Sequence, residues 1–260
     1  MHDPHWLTEQ FNESCREAVS YPVNLVYPEA YEQELYSYVQ QLDTREHELF
    51  CIESKTAVEF LELDDEVEGF RNTTVYTYGE LDDQLRLASQ NPDPMSRYVF
   101  VNAPNARDRL KVDREMFARI LTYHQVMPSY LDLVFAFGKQ EHPKDFHFCG
   151  FRADSRLDND APKLELRERR RSGRELRMCY SLRSVESVES QRHWPWSIRQ
   201  CAVYHAYDVE TELATWIVIK ANKVIRNRIK SIVDNRTPSV QNSFALEYPA
   251  LPNRPWTLIT

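Results

Sequence analysis

The chain has 260 residues, of which 42% are hydrophobic and 12% aromatic, enough for one sizeable core or two small ones. Acidic residues outnumber basic ones by 40 to 32, and the resulting net charge of −8 excludes a general electrostatic attraction to nucleic acid. Only 5 glycines stand beside 14 prolines, which disfavours a glycine-built phosphate loop and hence a nucleotide-binding fold of that kind.

The cellular compartment follows from what the sequence lacks. The N-terminal residues have neither the basic start nor the apolar run of a signal peptide, and no segment approaches the roughly 18 to 20 apolar residues that cross a bilayer. The cysteines are scattered without a CxxC pair, which favours buried, reduced thiols; they are Cys15, Cys51, Cys149, Cys179 and Cys201. We therefore expect a soluble, cytoplasmic protein.

In the first half of the chain, helical and strand patterns alternate. Residues 1–48 predict a helical N-terminal extension, with apolar residues at helical spacing over 31–42. Strands are predicted where β-branched and aromatic residues concentrate, and helices where apolar residues recur every three or four positions. The predicted strands are 49–52, 57–63, 73–78 and 97–102, and the predicted helices begin after Gly79, at 114 behind the N-cap Asp113, and at 130 after the break at Pro128.

The second half is richer in strands. Strands are predicted at 146–151, 176–185, 198–207 and 214–219, the last two forming a hairpin. The polar segment 154–173 lacks an apolar pattern, so we interpret it as a mobile basic surface loop. A basic amphipathic helix is predicted from about residue 222, with Ile225, Ile229, Ile232 and Val233 on one side.

These elements predict an α/β (α+β) fold: a mixed, largely antiparallel sheet flanked by helices. We place the domain at 49–233, after the extension 1–48. The prolines and the missing periodicity of 234–260 predict a disordered tail.

Four sequence runs resemble the soluble N-terminal domain of fungal CorA-like transporter proteins, over roughly residues 50–233. Three are strands, at 179–186 (CYSLRSVE), 197–208 (SIRQCAVYHAYD) and 215–220 (TWIVIK). The fourth is the broken helix at 124–134, HQVMPSYLDLV, whose His124, Pro128 and Asp132 resemble a motif of CorA-type Mg²⁺ channels. The resemblance implies a CorA soluble-domain-like fold that self-associates and has a link to divalent cations. The Gly-Met-Asn selectivity motif and a transmembrane pair of helices are missing from the sequence.

Residue types that bind metals occur at three places. His142, His147 and Cys149 are good zinc ligands, but their spacing favours ordinary strand packing. The resemblance implies that acidic clusters of such domains hold Mg²⁺ at a subunit interface, and the two clusters here also have an interpretation as solvated acids of turns and helix starts. They are Asp64, Asp65 and Glu66, and Asp82 and Asp83. We name no metal ligands.

Acid–base and anion chemistry have weaker candidates. His205 and Asp208 with Tyr204, and His193 beside Trp194, are interpreted as structural, since no nucleophile sits in a triad context. Arg199 could bind an anion or stack on Trp196, and the structural cation–aromatic contact is the favoured interpretation. The arginine run 167–177 could bind phosphate, lipid headgroups or RNA, but its interspersed glutamates favour a solvated loop.

The leading hypothesis is a non-enzymatic CorA-like domain with a regulatory or scaffolding role linked to divalent cation homeostasis. It has no assigned catalytic residue or cofactor apart from the suggested Mg²⁺, and no nucleic-acid partner. We expect a homo-oligomer formed through the helix after Ile219, whose apolar residues 225, 229 and 232 would otherwise face water.

Two alternatives stay open. One is an enzyme, or an accessory protein of a metabolic pathway, with an active site gathered from distant residues such as His124, His205 or Asp208. The other is a truncated CorA-like transporter whose membrane part was lost or lies outside this chain.

Overall fold

The computed structural model of the chain describes residues 4–64, 69–90, 92–103, 108–139, 150–158, 162–187, 196–220, 226–227 and 229. Within them, seven strands form one mixed sheet in the order β2-β1-β3-β7-β6-β5-β4. The strands are β1 Val58–Leu63, β2 Arg71–Val75, β3 Ser96–Val101, β4 Phe151–Ser155, β5 Glu175–Ser187, β6 Trp196–Asp208 and β7 Ala214–Ile219. The helices are α1 Pro4–Arg16, α2 Glu32–Leu49, α3 Tyr78–Gln90, α4 Arg114–Tyr123 and α5 Tyr130–Val134.

The sheet confirms the predicted fold class, because every neighbouring pair is antiparallel except one. The exception joins the two halves of the chain: β3 and β7 run parallel, with Val99 opposite Ile217. The β6–β7 hairpin predicted from sequence pairs Tyr207 with Ala214 and Ala202 with Ile219. Strands β5 and β6 pair over thirteen residues each and so extend past β4 and β7 on either side.

Helix α4 covers the predicted residues 114–123. Its start is fixed by Asp113, whose Oδ1 accepts a hydrogen bond from the Met116 backbone N–H at 2.8 Å. The helix ends at Tyr123, before the predicted break at Pro128, because Gln125 adopts a left-handed backbone with φ of 48°. Helix α5 then begins two residues after the proline.

The main hydrophobic core lies on one face of the sheet. It joins residues of the N-terminal helices, such as Phe11 and Leu42, to Phe117 of α4 and Val99 of β3. Tyr130 of α5 reaches across this core and its hydroxyl contacts the Ile217 carbonyl oxygen of β7 at 3.2 Å. The predicted N-terminal extension therefore contributes to the same core as the sheet, while the boundary at residue 49 stays a prediction.

The opposite face of the sheet carries a smaller apolar cluster. Leu61, Phe100, Val203 and Val218 are buried there, with partly buried aromatic residues packed around them. Ile229 also packs against this cluster. The sheet of the same chain therefore covers part of Ile229, and self-association through this helix stays a prediction.

Residue Arg226 brings the start of the predicted C-terminal helix to β1. Its Nη1 donates a hydrogen bond to Glu59 Oε2 at 2.9 Å. The rest of that helix and the predicted tail 234–260 lie outside the described residues, as do most of the predicted strand 146–151 and the chain at 188–195. Among the helices that the structure describes, none has both the length and the apolar character needed to cross a membrane.

The described residues of the segment 154–173 include a strand end and two buried leucines, which its polar composition did not predict. Its first two residues belong to β4, and Leu164 and Leu166 are buried in the main core. Leu166 and Arg171 form an antiparallel bridge that closes a short loop around a 3₁₀ turn at Arg167–Arg169. The apolar pair and the bridge hold residues 164–171 against the protein.

Gly138 permits a close approach between the end of α5 and the end of α2. Its φ is +96°, and an added Cβ would lie 2.7 Å from the Glu48 carbonyl oxygen. Lys139 continues this contact, because its N–H donates to the same oxygen at 2.8 Å. Neither the backbone angle nor the space suits another residue.

We expect Gly138→Ala to lower the free energy of unfolding by about 2 kcal/mol or more, since strain and steric overlap add together. Gly79→Ala in α3 is the matched control, because nothing lies within 4 Å of its added Cβ. Urea unfolding of both variants provides the measurement. Equal stabilities for the two variants would contradict the packing of Gly138 against Glu48.

Candidate functional site

A buried carboxylate, Asp93, lies between α3 and β3 and connects three parts of the chain. Its Oδ2 accepts from Arg171 Nε at 2.7 Å, and its Oδ1 accepts from the Tyr123 hydroxyl at 2.8 Å and from Arg97 Nη1 at 3.3 Å. The Asp93 backbone N–H also donates to the Arg169 carbonyl oxygen at 3.3 Å. Strand β3, helix α4 and the 166–171 loop therefore meet at this single side chain.

A second buried carboxylate extends the network through the sheet. Glu62 of β1 accepts from Arg97 Nε at 2.7 Å, so Arg97 lies between two acids. The other oxygen of Glu62 accepts from Arg71 Nη2 at 2.5 Å and from Gln84 Nε2 at 3.0 Å. Because Arg71 belongs to β2 and Gln84 to α3, the same chain of contacts fixes the edge of the sheet to a helix.

The aromatic ring of Tyr123 stands among three guanidinium groups. The Cζ atoms of Arg169, Arg171 and Arg97 lie 5.1, 5.0 and 5.6 Å from its centroid. Arg169 also donates to the Tyr123 hydroxyl at 2.8 Å, and Arg171 to the Tyr123 carbonyl oxygen at 2.9 Å. The ring of Phe11 in α1 contacts Tyr123 edge-on at 5.9 Å. Cation–aromatic attraction thus adds to the ionic contacts.

The electrostatics of the network follow from this geometry. Burial alone would raise the pKa of Asp93, but the charges of Arg171 and Arg97 outweigh it and lower the pKa to about 2. Burial would likewise raise the pKa of Glu62, but the charges of Arg97 and Arg71 outweigh it and lower that pKa below its ordinary value. Both acids are therefore ionised at neutral pH.

His124, which the resemblance to CorA channels singled out, caps α4 beside this network. It is 8% exposed, and its ring meets that of Tyr123 edge-on at 5.0 Å. Burial first, and then the charges of Arg97 and Arg171, hold the pKa of His124 well below 6.5, so the imidazole is neutral. Its Nε2 has no hydrogen-bond partner among the described residues.

A small cavity of about 30 Å³ adjoins the network, with room for about one water molecule. Asp93, Arg97, Arg171 and Asp208 are among the residues that line it. Asp208 itself is used locally, since its Oδ1 accepts from the Ser172 hydroxyl at 2.7 Å and its Oδ2 from the Ser172 N–H at 2.7 Å. The cavity is too small to bind an organic substrate.

The histidines proposed as parts of a gathered active site do not meet. Tyr204 faces the main core, where its ring lies 5.8 Å from that of Tyr130. His205 faces the other side of the sheet and stacks on Trp216 at 3.7 Å, and burial lowers its pKa to about 4. Alternation along β6 places Tyr204 and His205 on opposite faces of the sheet. His124 lies beside Tyr123 of the main core, so the sheet separates His124 from His205.

Two of the acidic residues considered as Mg²⁺ ligands, Asp64 and Asp82, have structural partners, whereas Asp83 is exposed on α3. Asp82 Oδ1 accepts from Arg119 Nη2 at 2.8 Å, and Asp64 Oδ2 lies 3.7 Å from Arg71 Nη2. No group of three or more His, Cys, Asp or Glu side chains in the described part of the chain has a metal-binding arrangement. Asp65, Glu66, His142, His147, Cys149, His193 and Trp194 lie outside that part.

Sequence reasoning missed Asp93, Arg97 and Glu62. Asp93 lies in the run NPDP at 91–94, a pattern typical of a helix end, and Arg97 and Glu62 lie in predicted strands. A charged residue inside a strand of apolar neighbours, as in VEFLEL and SRYVFV, was the available signal, since a buried charge needs a partner. The identity of each partner required the fold.

The fold and site define a mixed α/β domain whose central strands and helices are held together by a buried charge network. The family model of the CorA-like transporters matches residues 13–249, and the chain belongs to this CorA-like family. The match begins within α1, so it includes part of the predicted N-terminal extension. No curated protein matches the chain in sequence.

We expect Asp93→Asn to destabilise the protein by about 3 to 5 kcal/mol, because Arg171 and Arg97 stay buried without their shared counter-charge. Asp83→Asn, on the exposed side of the neighbouring helix α3, is the matched control and should change stability by less than about 0.5 kcal/mol. Urea unfolding at pH 7 measures both. A loss below about 1 kcal/mol in Asp93→Asn would show that the network is not a main source of stability.

Stability should also fall on mild acidification. A histidine whose pKa is lowered by folding contributes to stability at pH values above its pKa in the unfolded chain, which is about 6.5. That contribution is lost as the pH falls from this value towards the pKa in the folded protein. For His205, with a folded pKa of about 4, the loss between pH 7.5 and pH 5 is about 2 kcal/mol. His124 acts in the same direction.

The variant His205→Phe keeps an aromatic ring against Trp216 and should reduce this acid-induced loss by about 2 kcal/mol. His47→Gln, at an exposed position of α2, is the control and should retain the full loss. Urea unfolding at pH 7.5 and pH 5 compares the variants. An unchanged loss in His205→Phe would contradict the burial of a neutral His205.

Proposed function

We propose that this CorA-like protein is a non-enzymatic, cytoplasmic domain with a regulatory or scaffolding role in divalent cation homeostasis. The observation that carries the proposal is the family match over residues 13–249, on a chain whose described fold is the mixed α/β sheet implied by the resemblance. The site supports it as well. Asp93, with a pKa of about 2, and the buried, neutral His124 are both weak proton acceptors at neutral pH.

Self-association belongs to the same proposal. The resemblance implies an oligomer whose assembly responds to Mg²⁺. Ile229 is partly buried against the sheet of its own chain, so only its exposed part would be available to the interface. Asp82 accepts a hydrogen bond from Arg119. It is therefore a poorer candidate for a Mg²⁺ ligand than a carboxylate whose oxygens face solvent.

We expect the purified chain to form a species heavier than the monomer, and Mg²⁺ to stabilise it against unfolding. A cation that binds only the folded form stabilises it by about 2.7 kcal/mol at a hundred times its dissociation constant. Light scattering and urea unfolding, each with MgCl₂ and with KCl at matched ionic strength, separate specific binding from screening.

The Arg119→Gln variant extends this test to the acidic cluster, because it removes the guanidinium that donates to Asp82. A stronger Mg²⁺ response in this variant would place the cation at Asp82 and Asp83, and an unchanged response would place it elsewhere. A monomer at every concentration, with no response to Mg²⁺ in either protein, would refute the proposal.

A second candidate is the extramembrane part of a transporter, because the matching family is that of the CorA-like transporters. Sequencing the transcript past the codon for Thr260 tests it. An in-frame pair of apolar helices would support the transporter function, and a stop codon directly after Thr260 would refute it.

A further inference from the structure

A groove of about 430 Å³ lies between the 166–171 loop and the turn that joins β6 to β7. Its volume falls in the range of sites for small molecules. The loop contributes most of its basic side chains, and the turn closes the other side. The lining residues are Glu165, Arg167, Arg170, Arg171, Ser172, Glu210 and Thr211.

The loop presents its arginines in two directions. Arg169 and Arg171 contact the ring of Tyr123, and Arg171 also lines the groove together with Arg167 and Arg170. Two hydrogen bonds between Leu166 and Arg171, at 2.9 and 3.1 Å, close the loop. Arg170 has a left-handed backbone with φ of 58°, an uncommon conformation for a residue with a side chain. The basic wall is therefore preformed by the fold.

Positive charge prevails in the groove although the whole chain carries −8. Three arginines and two glutamates line it, and a fourth arginine, Arg174, contacts one of these glutamates from outside the lining. Arg167 Nε donates to Glu165 at 2.6 Å and Arg174 Nη1 donates to Glu210 at 2.9 Å. These are exposed ion pairs, which contribute little stability, so an anion could replace the glutamates at low cost.

The Thr211 hydroxyl in the groove wall and the guanidinium of Arg174, which contacts the lining residue Glu210, point to the same kind of ligand. The Thr211 hydroxyl and the Nε of Arg174 are buried, with no hydrogen-bond partner within the described structure. The nearby acid Asp208 is already used, since it accepts from Ser172 and from the N–H groups of Glu210 and Thr211. A hydroxyl can donate a hydrogen bond, and a guanidinium can only donate. Both groups would therefore pair with an acceptor atom of a ligand.

We propose that this groove binds a phosphate group. Guanidinium groups match phosphate oxygens with parallel hydrogen bonds, and the Thr211 hydroxyl supplies a further donor. A soluble phosphorylated metabolite and a phosphorylated lipid headgroup share this chemistry. The inference goes beyond the proposed function, because it needs neither Mg²⁺ nor self-association.

Isothermal titration with pyrophosphate in Mg²⁺-free buffer tests the site. We expect binding that weakens as salt is added, and a loss of tenfold or more in affinity for the double variant Arg167→Gln/Arg170→Gln. Arg152→Gln is the matched control: Arg152 is an exposed arginine on edge strand β4, and its variant should bind as the natural chain does. Equal affinities for the double variant and the control would overturn the proposal.

Thr211→Val distinguishes a ligand contact from a structural role. Removing a buried hydroxyl that lacks a partner should leave the unfolding midpoint unchanged or raised, while pyrophosphate affinity falls about tenfold. A lower midpoint with unchanged affinity would contradict the assigned role of Thr211.

Vesicles identify the source of the phosphate group. Phosphatidylcholine vesicles with and without a phosphatidylinositol phosphate are sedimented with the protein. Binding that requires the phosphoinositide and is lost in the arginine double variant assigns the site to a lipid headgroup, and binding of pyrophosphate alone assigns it to a soluble ligand. If neither probe binds, the proposal is wrong, whatever the result with Mg²⁺.

Discussion

Much of the architecture depends on the hydrogen bonds and ion pairs that the buried carboxylate of Asp93 makes. A charge removed from water is costly unless it is paired, and Asp93 is paired by side chains from three separate parts of the chain. Strand β3, helix α4 and the 166–171 loop must therefore be in place together. Through Arg97 and Glu62 the same requirement reaches β1, β2 and α3.

A second ionic cluster connects distant parts of the chain in the same way at the other edge of the sheet. Glu29, in the segment between α1 and α2, accepts hydrogen bonds from Arg156 and Arg177, and Arg177 also contacts Asp154 of β4. Arg177 belongs to β5 and is almost completely buried. The N-terminal segment is thus bound to the sheet by charge as well as by its apolar helices, which agrees with a family match that begins at residue 13.

Local signals explain which elements were predictable. Helix α4 has a capping aspartate and an apolar stripe, and β7 has a run of β-branched residues, so each is encoded within about ten residues. Asp93 and Arg171 are 78 positions apart, and nothing near Arg171 in sequence reveals its partner. The glutamates between its neighbouring arginines suggested a solvated loop, whereas the fold removes Arg171 from water and leaves its side chain 11% exposed.

The family resemblance identified His124 as part of a motif but did not predict the environment of its side chain. The motif placed it in a broken helix, and the structure shows that it is buried beside Tyr123 with its charge suppressed by two arginines. His205 is likewise neutral, held against Trp216 on the far side of the sheet. Neither histidine can exchange protons with a shared substrate, since the sheet separates them.

The arginines of the 166–171 loop divide into a structural pair and a ligand-facing pair. Arg169 and Arg171 are fixed by Asp93 and Tyr123, so they anchor the loop and cannot reorient without breaking the buried network. Arg167 and Arg170 are carried by the same closed loop but line the groove. Because the inward pair makes the loop rigid, the outward pair has less conformational entropy to lose when an anion binds. A stable charge network inside the protein is thus the physical basis for a preformed binding surface outside it.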